Sequence, residues 1–310
     1  MTDPLALYRT LAEARALEET VQTHAAFYHS GYGMEAVGVG VASALRADDY
    51  LVAHYRGVGA PLAKGMPIDT LLRTFLLKAT SPVRGRNWHP VAVDVGLFGH
   101  QGTSGSEFGR AAGLGVAAKH HGQHAVAVGM FGDGSAQRGT LHEAFLLACS
   151  WELPVLWVCE NNEYMISTRA DAIFPGEIAD LAGGYRMPAA TVDGNDVYEV
   201  RRATDELLSE VRRVSKPAFL EAKTYRVRPH TEVEAAPYQD DAELERWRAR
   251  DPLAVGRARL AQDGIDAGEL DRIEAQARVE VADALRRVQD DPGHDPAEDV
   301  GAYLYASETR

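Results

Sequence analysis

The sequence predicts an α/β protein built on a parallel sheet, and three observations carry that prediction. Two short apolar runs, residues 126–131 (VAVGMF) and 155–159 (VLWVC), each end in a small polar cluster: Gly132-Asp133-Gly134 and Glu160-Asn161-Asn162. Between them Leu141, Phe145, Ala148 and Cys149 fall at i, i+4, i+7 and i+8, one face of a 3.6-residue period. A third apolar run, 218–225 (AFLEAKTY), again ends in polar residues. A strand–helix–strand crossover makes its two strands parallel. The polar clusters then share the carboxyl edge of the sheet, where open α/β sheets bind ligands.

The elements follow in order. Residues 1–30 read as an amphipathic helix through Leu7, Leu11, Ala14, Leu17 and Val21. Residues 31–34 break it, and a second helix spans 35–45. The Asp48-Asp49 turn leads to a strand at 50–54 and then to Tyr55-Arg56-Gly57. Residues 66–79 read as helix. Residues 80–109 are rich in Gly, Pro and Ser and lack a period; loops of that length are usually functional. A small-residue helix covers 109–120. Thr140 and Glu143 have capping-box spacing, and Leu153-Pro154 ends the central helix. Beyond Asn162 come a loop, a strand at 189–192, a turn at Asp193-Gly194-Asn195-Asp196 and a helix to about 214. After the third apolar run, 231–242 is acidic and contains proline, and 242–288 is helical and charge-rich. A short apolar Ala302-Tyr303-Leu304-Tyr305 closes the chain. The expected organisation is one domain over 1–310, with N-terminal helices at about 1–45 and a helical extension at about 242–310.

Composition excludes several classes. Hydrophobic residues make up 45% and charged residues 25% of the 310, ordinary for a soluble globular protein. The net charge of −13 argues against a nucleic-acid surface, which needs a basic face. The N-terminus MTDPLALYRT has no cationic region followed by an apolar core, and no membrane span is legible, so a cytoplasmic protein is expected. The two cysteines, Cys149 and Cys159, lack metal-ligand spacing and read as reduced packing residues. His120 and His124 have i, i+4 spacing, but Gly122 lies between them and no third ligand follows, so they read as surface residues.

Asp133 and Asn162 end neighbouring strands and can converge. Two hard oxygen donors beside close-approaching glycine backbone suit magnesium with a phosphorylated ligand. Gly-Asp-Gly, about thirty residues, then Asn-Asn resembles the thiamine diphosphate motif. The extended text, GDGSAQRGTLHEA through LPVLWVCENNEYMIST, resembles one branch of it. That branch is the alpha subunit of the decarboxylating component of pyruvate, branched-chain 2-oxo acid and acetoin dehydrogenase complexes. Gly33-Met34-Glu35-Ala36, Val192-Asp193-Gly194-Asn195-Asp196-Val197 and 217–226 (PAFLEAKTYR) are similar to further family segments.

The resemblance implies a three-layer parallel-sheet thiamine diphosphate-binding fold and a set of roles. Asp133 and Asn162 are implied as magnesium ligands by side chain, and Tyr164 by its backbone carbonyl. Gly134 and Ser135 are expected to give amides to the diphosphate at a helix N-terminus. Tyr55 and Arg56 match a Tyr-Arg pair near the diphosphate, where a guanidinium suits phosphate. Gly102-Thr103-Ser104-Gly105 is similar to the Gly-Ile-Val-Gly segment whose backbone meets the pyrimidine ring. Gly102 and Ser104 are implied as cofactor contacts; Thr103 and Ser104 depart from the apolar pair, which matters little if the contact is by backbone and makes the pocket more polar if the side chains shape it. His230 matches the histidine beside the cofactor associated with acyl transfer, the candidate catalytic residue here. Arg226 is expected to anchor either the loop or the diphosphate. His89 and His100 are candidates for the substrate entrance. Departures at Arg228, Pro229, Thr231 and 232–235 put regulation at this loop in question.

The implied activity is decarboxylation of a small 2-oxo acid, with passage of the acyl unit to a lipoyl carrier and hence to a lipoyl acyltransferase partner. The activating carboxylate is expected from a beta subunit, in an assembly of two alpha and two beta chains. A thiamine-dependent carboligase subunit and a non-catalytic binding paralogue are the competing readings. A nucleotide-binding Rossmann protein is disfavoured, because no Gly-x-Gly-x-x-Gly follows an early strand.

Overall fold

The computed structural model describes residues 3–99, 102–122, 124–174, 176–231 and 235–299. The chain opens with α1 (Pro4–His24), where the Asp3 side chain accepts from the Leu5 amide and Pro4 takes a position whose amide has no helical partner. Short elements follow: α2 (Glu35–Ala42), β1 (Tyr50–Val52), α3 (Gly59–Ala63) and α4 (Ile68–Phe75). A long connection, whose described residues include a 3-10 turn (Val93–Val95), leads to α5 (Ser106–His121) and β2 (Ala127–Gly132). Next come α6 (Asp133–Ala136), α7 (Gly139–Ser150) and β3 (Val155–Asn161), then a small hairpin of β4 (Tyr164–Met165) and β5 (Thr168–Arg169). The chain continues through α8 (Asp180–Gly183), β6 (Ala189–Asp193), α9 (Val197–Val214) and β7 (Ala218–Lys223). It closes with α10 (Asp241–Arg248), α11 (Pro252–Gln262) and α12 (Ala267–Val288).

The main sheet has the order β1-β2-β3-β7-β6, and all its pairings are parallel. The register Phe131↔Cys159 and Gly132↔Glu160 brings the ends of β2 and β3 level. Both faces are covered, which is why the central strands are apolar throughout rather than alternating. Val128, Met130, Leu156, Val158 and Leu220 join Leu11, Leu17, Val37 and Val200 in one core. Phe131, Trp157 and Phe219 point the other way, to Phe108 on α5 and Phe145 on α7. The result is helix, sheet, helix. The C-terminal extension closes over α4: Arg73 pairs with Asp291 at 2.6 Å, and Lys78 bridges Gly293.

Several boundaries differ from the sequence expectation. The first helix stops at His24, with Ala25 extended. The second ends at Ala42, and the first strand at Val52. The expected helix at 66–79 is the shorter α4, with α3 a separate piece ahead of it. The Thr140–Glu143 capping box does not form. Helix α7 already starts at Gly139, with no side-chain cap, and the Asp133 turn is itself helical. The 242–288 stretch is three helices: Pro252 starts the second, and Gly264 at φ +85° turns the chain before the third. Cys159 is buried as expected. Cys149 is only half-buried, its thiol 3.7 Å from the Tyr185 carbonyl. The tail at 302–305, His100 and Glu232-Val233-Glu234 lie outside the described residues.

Candidate active site at the carboxyl edge of the sheet

Parallel strands put the polar ends of β1, β2, β3 and β7 on one edge, where a cleft of about 510 Å³ opens. Tyr55, Arg56, Gly102, Ser104, Asp133, Gly134, Ser135, Asn162, Tyr164 and His230 all line it. They come from segments up to 175 positions apart (55 to 230). Of the residues expected to bind or react, only Arg226 lies behind the lining, 1% exposed.

Asp133 sits where β2 passes into α6, 7% exposed. Its Oδ1 accepts weakly from the Asn162 amide at 3.4 Å, while its buried Oδ2 has no partner. Burial lifts its pKa to about 6, against the pull of the Asn162 amide, Arg226 and Arg56. A buried carboxylate oxygen without a donor is costly unless something cationic faces it. The Asn162 Oδ1 accepts from the Tyr164 amide at 3.2 Å, a tight turn that sets the amide beside Asp133. The Tyr164 carbonyl accepts from Arg226 Nη1 at 3.1 Å and keeps a second lone pair. One carboxylate, one amide oxygen and one carbonyl are hard donors, and they fit magnesium sharing its shell with ligand oxygens. Among the described residues no three His, Cys, Asp or Glu side chains cluster for a metal. Gly134 keeps the cradle open, since a Cβ there would stand 2.7 Å from Met165.

The opposite wall is cationic and imidazole-rich. Arg56 Nη1 donates to the Ser30 carbonyl at 3.0 Å, and its Nη2 lies 3.0 Å from His230 Nδ1. A guanidinium can only donate, so Nδ1 accepts and His230 carries its proton on Nε2. Burial, then Arg56, pushes the His230 pKa down to about 3, which keeps it neutral. Its carbonyl is met by His29 Nδ1 at 2.9 Å. Arg226 donates to the carbonyls of Tyr164 and Arg228 and to the Tyr238 hydroxyl, contacts that tie it to the loop.

Sequence reasoning missed several residues. His29 packs edge-on to Tyr55 with ring centroids 4.8 Å apart, and it lay just ahead of the Gly33-Met34-Glu35-Ala36 segment. Glu18, fully buried in α1, accepts from the Gly31 and Val58 amides at 2.9 and 2.8 Å and so pins the two segments that carry His29 and Arg56. No local signal in the sequence marks it. His54 lines the cleft and meets Glu160 at 3.1 Å; burial lowers the imidazole to about 3 and lifts the carboxyl to about 8. Ile166 lines the cleft with an exposed side chain at φ +54°, a costly state for a β-branched residue. His89 is 6% exposed under Trp88, beside Gly102, while His120 and His124 are exposed as expected.

The fold and cleft define an α/β protein that gathers oxygen donors, arginines and imidazoles at one sheet edge. Residues 4–297 match the dehydrogenase E1 component family. The chain is 34% identical over 296 residues to the alpha subunit of acetoin:2,6-dichlorophenolindophenol oxidoreductase of Bacillus subtilis, covering 92% of this chain and 89% of that one. It is 32% identical over 307 residues to the pyruvate dehydrogenase E1 component alpha subunit of Rhizobium meliloti, covering 96% and 88%. It is 34% identical over 282 residues to the 2-oxoisovalerate dehydrogenase alpha subunit of Bacillus subtilis, covering 86% and 84%. The chain belongs to the dehydrogenase E1 component family, thiamine-dependent decarboxylating enzymes of 2-oxo acids.

Proposed function

We propose that this chain is the alpha subunit, and half the active site, of an enzyme that decarboxylates a small 2-oxo acid and passes the acyl unit to a lipoyl carrier. The whole chain acts as one cofactor-binding domain with helical extensions, in the cytoplasm. Asp133 and Asn162 by side chain, and Tyr164 by carbonyl, hold magnesium. Gly134, Ser135, Tyr55 and Arg56 hold the diphosphate, and the segment from Gly102 to Ser104 meets the pyrimidine ring. Thiamine diphosphate, once bound, supplies the electron sink that decarboxylation needs. His230, neutral with its proton on Nε2, offers that N–H as a hydrogen-bond donor to the acyl group being transferred. Arg226 keeps the Tyr164 and Ile166 carbonyls in place. A beta-type partner, two of each chain in the assembly, supplies the activating carboxylate and the rest of the pocket; a lipoyl acyltransferase is the onward partner.

One observation carries this reading: the unpartnered, buried Asp133 Oδ2 beside Asn162, at the level ends of adjacent parallel strands. The test is co-expression with a beta-type chain, followed by a panel of 2-oxo acids assayed with an artificial electron acceptor. The chain alone is expected to be inactive, and the complex active only with thiamine diphosphate and magnesium. Turnover by the alpha chain alone would overturn the shared site. Turnover without the cofactor would overturn its assignment. A lipoyl acyltransferase that co-purifies and accepts the acyl unit separates the dehydrogenase from a carboligase.

A further inference from the structure

A second cavity, of about 410 Å³, shares no lining residue with the cofactor cleft. Three segments build it: the connection between α1 and α2, the stretch after β7, and the junction of α10 with α11. Tyr32, Gly33, Arg228, Trp247, Arg248 and Asp251 line it. Gly33 holds φ +81°, and a Cβ there would stand 2.9 Å from the Val227 side chain, so glycine lets the first two segments meet. The Tyr32 ring then meets two guanidinium groups, their central carbons 4.2 Å (Arg15) and 3.9 Å (Arg228) from its centroid. The two arginines differ in charge balance. Arg15 pairs with Glu35 and Asp251 at 2.5 and 2.8 Å. Arg228 has no carboxylate partner among the described residues, and its Nη1 is buried without a hydrogen bond. A ring face attracts the cation but leaves its N–H donors without an acceptor. Asp251 does not fill the gap: its Oδ2 takes Arg15 and its Oδ1 takes the Leu253 amide at 2.9 Å. The chain carries 45 Asp and Glu against 32 Lys and Arg, so Arg228 is not unpaired for want of acidic residues.

We infer that this cavity is a binding site for a small oxyanion, a phosphate ester or a carboxylate, carried on a flat apolar body. A guanidinium without an acceptor is the group that recognises phosphate or carboxylate through paired N–H donors. Arg248 adds a second cation; its side chain is exposed, and Glu245 stands 3.9 Å away, at the limit of pairing. Trp247, stacked on Tyr225 at 5.5 Å and 12°, joins Tyr32 in giving ring surface for the apolar body. The volume is that of a small-molecule site. This site goes beyond the proposed reaction, because the groups that hold the cofactor line the other cavity. It nevertheless touches the catalytic loop: Arg228 stands two positions before His230, and its carbonyl accepts from Arg226.

The experiment uses the alpha–beta complex saturated with thiamine diphosphate and magnesium, so that the diphosphate site is already filled. Phenyl phosphate, benzoate and inorganic phosphate are titrated by calorimetry. At least one of the two aromatic probes is expected to bind, and to bind tighter than inorganic phosphate, because the rings add contact. The tighter of phenyl phosphate and benzoate identifies the head group. Arg228→Met keeps the stem over Tyr32 and removes the charge; it should weaken that probe by about tenfold or more, the loss of a hydrogen bond to a charged group. Arg228→Lys restores the charge without the planar fork and should recover part of the loss. The ligand-free Arg228→Met complex should melt no lower than the parent, since the guanidinium has no carboxylate to lose. Arg248→Met gives a second readout, with a smaller loss expected from an exposed cation. Failure of both aromatic probes to bind the parent would overturn the inference, as would binding that Arg228→Met and Arg248→Met leave unchanged. A probe that binds only when thiamine diphosphate is left out occupies the cleft, and that too would overturn it. If the complex takes up no cofactor, the reading of the cleft fails alone, and the Arg228 and Arg248 variants still decide this inference.

Discussion

Replacing Asp133 with asparagine should do two opposite things at once. The carboxyl is buried and its Oδ2 has no partner, so the cofactor-free protein holds a carboxylate in a place that resists charge. Burial lifts its pKa from 3.8 to about 6, which amounts to about 3 kcal/mol of stability lost at neutral pH. The sign follows from a folded-state pKa above the unfolded one. The stability is fully present below about 3.8 and drains away as pH rises through about 6. The asparagine side chain has nearly the same shape and no charge to desolvate, so the cofactor-free Asp133→Asn protein should melt higher than the parent above pH 6. At pH 4 the two should melt together. Magnesium affinity should fall by more than the roughly 10–100-fold typical of losing an outer-shell partner, because a direct ligand loses its charge. Melting curves from pH 4 to 8 without cofactor, and calorimetry with magnesium and thiamine diphosphate, check both arms. A variant that melts below its parent at pH 7 would refute the claim that this carboxylate waits for a cation. Undiminished cofactor affinity would refute the site itself.

Other perturbations separate the remaining roles. His230→Ala should reduce acyl transfer to a lipoyl acceptor by about 10²-fold while sparing decarboxylation with an artificial acceptor; equal losses together with a weaker cofactor Kd would make His230 a phosphate contact only. Arg226→Leu should strip partners from the carbonyls of Tyr164, Ile166 and Arg228, costing roughly 1–3 kcal/mol for each one left buried and lowering both the melting midpoint and cofactor affinity; an unchanged melting midpoint would contradict the anchoring role. His54 has a folded pKa near 3, below its ordinary value, so it contributes stability above about pH 6.5 that is lost on acidification. Between pH 6.5 and 4 the His54→Asn protein should therefore lose stability more slowly than the parent, by at most about 1.4 kcal/mol per pH unit; parallel curves would show that His54 takes up its proton without cost.

What the sequence determined by itself is what local pattern can encode. An apolar run buried on both faces is legible wherever it stands, and β2, β3 and β7 are legible because both sides of each are covered. The polar residues closing those runs then had to share an edge, since parallel strands leave no alternative. The sequence alone therefore places Asp133, Asn162 and the segment from Tyr225 to His230 at that edge. Helix ends were less legible. Thr140 and Glu143 have the spacing of a cap that does not form, because α7 already starts at Gly139, and α3 is too short to show a period. Tertiary structure decided whatever depended on residues distant in the chain. Glu18 is one charged residue among several on α1 until Gly31 and Val58 are seen donating to it. Ile166 reads as an ordinary loop residue until its backbone is found at positive φ, held there while Arg226 bonds its carbonyl from 60 positions away. Arg226 meets three carbonyls, those of Tyr164, Ile166 and Arg228, that no local pattern pairs with it. Period and turn chemistry depend on neighbours a few residues apart, and so they are written in the sequence. The partner of a buried charge is set by which distant segments the sheet brings together, and only the folded chain fixes that.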